Sequence, residues 1–210
     1  MRKESVSLAD YLKAIRIYHW PKNLLVFLPA LTGHLLTPES ISTLLVIFFS
    51  LSFVASGMYL INDLLDIDND KKHPTKKNRL IASGSLSPKN AKIISLLLII
   101  MGLLGSFAVS FYGGILICVY IVLVGVYSLY IKRVPFFEAF FLTLVYLLRI
   151  YIGLLVINES ASQWLMIFSF FFFFFLVLVK RHAELLLHLK SLKDDPTGRR
   201  YQIDDINLIQ

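Results

Sequence analysis

The sequence predicts an all-α, polytopic integral membrane bundle of about six spans, and three observations predict it. Hydrophobic residues make up 57% of the chain, and the mean hydropathy is +0.70. Apolar stretches near the roughly 20-residue length that crosses a hydrocarbon core recur at 20–36, 41–61, 91–111, 113–131, 134–157 and 162–179. The basic residues, finally, fall almost wholly on one side of those stretches.

Taken in order, residues 1–22 are too polar for a cleavable signal, and no small-residue cleavage site follows Trp20. The first span is short and carries Pro29, so it is expected to tilt, kink or lie partly in the interface. The second runs directly into an acidic sequence. Ser87 and Pro88 read as the N-cap and first residue of the third helix. The fourth holds Cys118, a lone cysteine in an apolar run that implies packing and no disulfide. The fifth contains Glu138 near its start and Arg149 in its middle. The sixth includes the phenylalanine tract 170–175, which suits a lipid-facing or packed helix. The expected division is one transmembrane domain over 1–193 and a polar cytoplasmic tail over 194–210.

Of the 21 Lys and Arg residues, five precede or open the first span, seven lie between spans two and three, two between four and five, and six after the sixth. The alternate loops carry none. The positive-inside rule makes the basic side cytoplasmic, with both termini on it. The net charge of +7 thus reflects topology and anionic lipid headgroups, with no nucleic-acid partner implied.

The run Asn62-Asp63-Leu64-Leu65-Asp66-Ile67-Asp68-Asn69-Asp70 carries the chemistry. Continued as a helix from Asn62 at zero, Asp63, Asp66 and Asp70 fall at about 100°, 40° and 80°, whereas Asp68 lies near 240°. Three carboxylates and an amide on one narrow face repel unless a cation sits among them, and hard oxygen donors suit Mg²⁺. The plainer alternative is a solvated acidic helix end. The loop that follows holds His73, Lys76, Lys77 and Arg79, within reach of a metal-bound anion. Metal-holding carboxylates followed by cations are what a diphosphate leaving group needs. No P-loop, GxGxxG, HExxH or GxSxG pattern competes, and His19, His34, His182 and His188 lack metal spacing. Arg149 is costly at membrane depth, so either a structural partner or a bound phosphate must face it.

Asn62-Asp63-x-x-Asp66-x-x-x-Asp70 at the cytoplasmic end of the second span resembles the first acidic motif of the UbiA superfamily of intramembrane prenyltransferases. Further stretches resemble its decaprenyl-phosphate phosphoribosyltransferase-like branch. They are Trp20-Pro21-Lys22-Asn23 to Phe27, the His73-to-Gly84 loop, Tyr127-Ser128 with Lys132, Arg149 with Gly153, and Lys180-Arg181-His182-Ala183-Glu184-Leu185. The resemblance covers about residues 10–190.

It implies the first two thirds of a nine-span fold in the plasma (inner) membrane, with the active site facing the cytoplasm. It also implies Mg²⁺-dependent transfer from 5-phosphoribosyl 1-diphosphate to a polyprenyl phosphate, supplying a sugar donor for the cell envelope. Asn62, Asp63, Asp66 and Asp70 would hold the metal, and Asp63, Asp66 and Arg79 would carry catalysis. Lys22, Asn23, Lys76, Arg79, Lys132 and Arg149 would bind substrate phosphates, and Glu138, where the family typically has Asp, would be a second acidic site. Leu80 departs from the proline usual after the loop arginine. The family's last three spans have no counterpart, which leaves open a shortened chain or one that completes its cavity as a homo-oligomer. A prenyl transfer from a prenyl diphosphate to an aromatic acceptor, or an inactive member of the family, are the other readings.

Overall fold

The computed structural model describes residues 8–134, 137–159 and 162–191, and every regular element among them is helical. The tail over 194–210 lies outside them. A short helix α1 (Leu8–Ala14) leads into a 3-10 segment (Ile17–Phe27) and a brief α2 (Leu28–Thr32). Then come α3 (Pro38–Leu65), α4 (Ile67–Lys72), α5 (Pro88–Val109), α6 (Phe111–Leu129), α7 (Phe137–Val156) and α8 (Gln163–Ser191).

Among the described helices, five are long and apolar enough to cross a membrane: α3, α5, α6, α7 and the Gln163–Glu184 portion of α8. The first expected span is not a sixth such helix, because its chain is wound as the 3-10 segment followed by one turn of α-helix. It nevertheless runs antiparallel to α3 along that helix's length. Arg16 meets Asp63, the Trp20 indole N–H donates to Ser56 Oγ at 3.0 Å, Asn23 Nδ2 donates to Ser52 Oγ at 3.0 Å, and Phe27 faces Phe48. Eleven 3-10 residues and five α residues reach roughly 30 Å, about the thickness of a hydrocarbon core. The segment therefore traverses the bundle without being a standard span. Pro21 and Pro29 remove backbone donors within it, and side-chain bonds to α3 hold it in place.

Ser56 is a node of that attachment. Buried on α3, it accepts from Trp20 and donates to the Ile15 carbonyl at 2.7 Å. Ser56→Ala is expected to cost about 1–2 kcal/mol, because it leaves a donor and an acceptor unpaired. Thermal unfolding in detergent, against Ser42→Ala on the exposed start of α3, would measure it.

Local sequence explains the helix ends. Thr37 caps α3 and exchanges bonds with Ser40, with Pro38 as the first helical residue. Ser87 accepts from Asn90 N at 3.2 Å with Pro88 behind it, as the sequence leads one to expect. One residue, Ser110, closes α5 and caps α6, so the turn between them is tighter than a loop around 112–113.

Helices α3 and α7 are central, with 61% and 50% of their apolar stretches buried, against 11–22% in α5, α6 and α8. The core joins Val26, Leu44, Ile47, Leu51, Val54 and Met58 to Ile117, Tyr120 and Ile152. Small residues set the closest approach of α3 and α5: a Cβ on Gly102 would lie 2.5 Å from the Ser50 carbonyl oxygen.

Candidate active site

Helix α3 carries no charged side chain from Ser40 to Ile61 and then delivers Asn62 and Asp63, the latter buried. Asp66 breaks the helix with φ −99° and ψ 11°, and the chain re-enters helix at once as α4. The register survives the break, since Asp70 N donates to Asp66 O at 2.8 Å. Asp70 is consequently buried as well, while the Asp68 side chain is 94% exposed with only Lys71 at 3.9 Å. Asp63 and Asp70 thus turn inward, and Asp68 turns away from them.

Three basic side chains from three separate segments neutralise this face. Arg16 Nη2 lies 2.6 Å from Asp63 Oδ1. Arg79 Nη1 bridges Asp63 Oδ1 at 3.0 Å and Asp70 Oδ2 at 2.7 Å. Lys132, on the 3-10 turn between α6 and α7, reaches both oxygens of Asp66 at 3.1 and 2.9 Å, and Asn62 Nδ2 donates to Asp66 at 3.2 Å. Buried and half-buried carboxylates crowded together are stable only when so compensated. Among the described residues, no three carboxylate, imidazole or thiol groups converge on one metal-sized point: Arg79 links Asp63 to Asp70, and Lys132 holds Asp66 separately.

The loop carrying Arg79 folds back through local bonds. The His73 ring accepts the Thr75 N–H at 3.3 Å, and Arg79 N donates to the Lys76 carbonyl at 2.9 Å. Lys76 sits in the single 3-10 turn Lys76–Asn78 next to this arginine.

A second group of cations lies deeper. Arg149 is buried in α7 among Asn23 Oδ1 (2.9 Å from Nε), the Val145 carbonyl (2.8 Å from Nη1) and the Tyr120 hydroxyl (3.0 Å from Nη2). It also lies over the Tyr120 and Tyr146 rings at 5.0 and 5.4 Å. Lys22 feels the fields of both Arg149 and Arg16, and neither Lys22 nor Arg149 has an ion pair among the described residues. The Asn23 amide is used at both ends, accepting from Arg149 and donating to Ser52, so it anchors Arg149 instead of presenting a free donor. Gly153, one turn beyond Arg149, permits this contact: a Cβ there would lie 2.1 Å from the Val26 carbonyl oxygen. Glu138, fully buried at the start of α7, engages Tyr127 and Arg181.

Arg16 is a site residue that the sequence did not reveal. Its backbone is left-handed (φ 54°, ψ 49°), and its guanidinium lies 4.7 Å from the Tyr59 ring while holding Asp63. Such a conformation costs a non-glycine residue energy and persists only where neighbours fix it. Only its place as the last basic residue before the first apolar stretch could have drawn notice.

A family model described as the UbiA prenyltransferase family matches residues 26–198. The chain belongs to this family. Among the proteins similar to this chain, protein y4nM of Sinorhizobium fredii is 31% identical over 95% of this chain and 39% of its own length. The decaprenyl-phosphate phosphoribosyltransferase of Corynebacterium glutamicum is 33% identical over 89% of this chain and 58% of its own. The chain therefore spans less than two thirds of either relative. A UbiA homologue from Archaeoglobus fulgidus, solved with DMAPP and Mg²⁺, superposes with a TM-score of 0.74 at 19% identity, covering 95% of this chain and 73% of the other. That likeness establishes the all-helical UbiA membrane fold.

Proposed function

We propose that this UbiA-family chain carries out Mg²⁺-dependent transfer of 5-phosphoribosyl from 5-phosphoribosyl 1-diphosphate to a polyprenyl phosphate. The observation that carries the reading is the pair of cations Lys22 and Arg149. Both lie within the bundle and, among the described residues, have no carboxylate partner, beside an aspartate face that has its own cations. Two anionic sites are thereby provided for: one for a diphosphate at the aspartates, and one at the deeper cations for a monophosphate, which is either the acceptor's phosphate or the donor's 5-phosphate. Substrates without any monophosphate would leave those cations uncompensated. The named activity of the C. glutamicum relative supports the same choice.

Asp63, Asp66, Asp70 and the Asn62 carbonyl offer hard oxygen donors, which fit Mg²⁺. When bound, that ion would neutralise charge on the diphosphate. The chain's own residues account for the rest. Arg79 and Lys132, already gathered at the carboxylates, hold the diphosphate oxygens as negative charge builds on them. The bond from the anomeric carbon to the diphosphate breaks and its electron pair leaves with the diphosphate. An oxygen of the acceptor phosphate then forms the new bond to that carbon. This oxygen is already ionised, so no strong general base is required. Lys22 and Arg149 orient the acceptor phosphate or the donor's 5-phosphate, and the acceptor's lipid tail lies among the spans.

Membranes containing the chain, incubated with labelled 5-phosphoribosyl 1-diphosphate, a polyprenyl phosphate and Mg²⁺, should move label into lipid, and EDTA should stop it. Transfer from a labelled prenyl diphosphate to an aromatic acceptor, with no phosphoribosyl-lipid formed, would instead identify a prenyl transfer.

A further inference from the structure

The turn between α6 and α7 presents Lys132 to Asp66, and a buried cluster behind it ties that turn down. Oε1 of Glu138 accepts from the Tyr127 hydroxyl at 2.9 Å, near the end of α6, and from Nη2 of Arg181 on α8. Arg181 is itself buried and donates through Nη1 to Glu184. The backbone completes the connection: Glu138 N donates to the Val134 carbonyl at 3.0 Å, and Val134 N to the Ile131 carbonyl at 3.0 Å. Tyr127 and Glu138 flank Lys132 in the chain, and one carboxylate oxygen links both to a third helix.

A buried ion pair adds little net stability over a packed apolar pair, so its effect is better sought in the geometry that it specifies. Here the geometry is that of the lysine facing Asp66. Resting on the reading of Lys132 as part of the diphosphate site, we propose that Glu138 is a positioning residue. Together with Tyr127 and Arg181 it forms a buried clasp that fixes the α6–α7 turn and aims Lys132 at Asp66. It acts through Lys132 and is not a second metal-binding carboxylate.

The test follows amine acetylation of the purified chain in nanodiscs by mass spectrometry, comparing Lys132 with the exposed Lys71. Tyr127→Phe and Glu138→Gln should raise Lys132 labelling about fivefold, since each weakens the hold on the turn, and leave Lys71 unchanged. If Glu138→Gln does not fold, Tyr127→Phe, which removes one hydroxyl, decides alone. Unchanged Lys132 labelling, or an equal rise at Lys71, would overturn the clasp.

Calorimetric titration with inorganic pyrophosphate and Mg²⁺ provides a second readout. Tyr127→Phe should weaken pyrophosphate binding in the otherwise unaltered chain and have no further effect beside Lys132→Ala. Additive losses would overturn the clasp. Absence of any pyrophosphate binding by the unaltered chain would count against the function proposed above, and the labelling would still decide the clasp.

Discussion

Asp66→Asn is expected to lower Mg²⁺-dependent phosphoribosyl transfer about 100-fold or more, while Asp68→Asn stays within about twofold. The two residues are equally acidic and two positions apart, but their surroundings differ completely. Asp66 is held by Lys132 through both oxygens and by Asn62, whereas Asp68 points into solvent. Removing the Asp66 charge takes away a hard donor and leaves Lys132 a half-buried ammonium without its counter-ion. Initial rates on equal amounts of folded protein would check it, with melting temperature as the control for folding. Equal losses from both substitutions would mean that the run acts as a diffuse acidic patch, and the face argument would fail.

The second large effect is structural. Gly153→Ala should be strongly destabilising although the change is a single methyl group on a good helix former. Its Cβ would sit 2.1 Å from the Val26 carbonyl oxygen, and that obstacle is backbone, which no rotamer change can relieve. Either α7 or the 3-10 segment must move, at a cost at the upper end of the about 1–3 kcal/mol seen for overpacked sites. At about 2–4 °C per kcal/mol, the melting temperature in detergent should fall roughly 6–12 °C. Gly125→Ala is a suitable comparison, because the nearest atom to a Cβ there is 3.9 Å away, on a flexible methionine. Similar melting temperatures for the two variants would show that the first segment does not depend on this contact.

What the sequence disclosed, and what it withheld, follows from the range of the interactions. The five long helices were legible as apolar runs, because each is decided by its own composition. The inward turn of Asp63 and Asp70, and the exposure of Asp68, followed from helical periodicity within one short run. The partners were not legible. Lys132 lies 66 residues from Asp66, Arg16 lies 47 from Asp63, and Arg181 lies 43 from Glu138. No periodicity spans such separations, and only the packing of α6, α7, α8 and the first segment brings them together. Glu138 was therefore read as a second acidic site from the family resemblance, with nothing in the sequence to indicate the arginine beside it. The winding of residues 17–32 was hidden for another reason: hydropathy reports how much a segment prefers lipid, not whether its backbone closes i+3 or i+4 bonds.

That winding bears on how the protein comes to be made. A 3-10 stretch interrupted by proline, carrying Lys22 and Asn23, satisfies its backbone poorly on its own, and the bilayer supplies no water to finish the task. The partners of its Trp20 and Asn23 side chains, Ser56 and Ser52, belong to α3, which leaves the ribosome later. The first crossing and the aspartate-bearing helix are therefore expected to enter the membrane together, as a hairpin of two antiparallel arms.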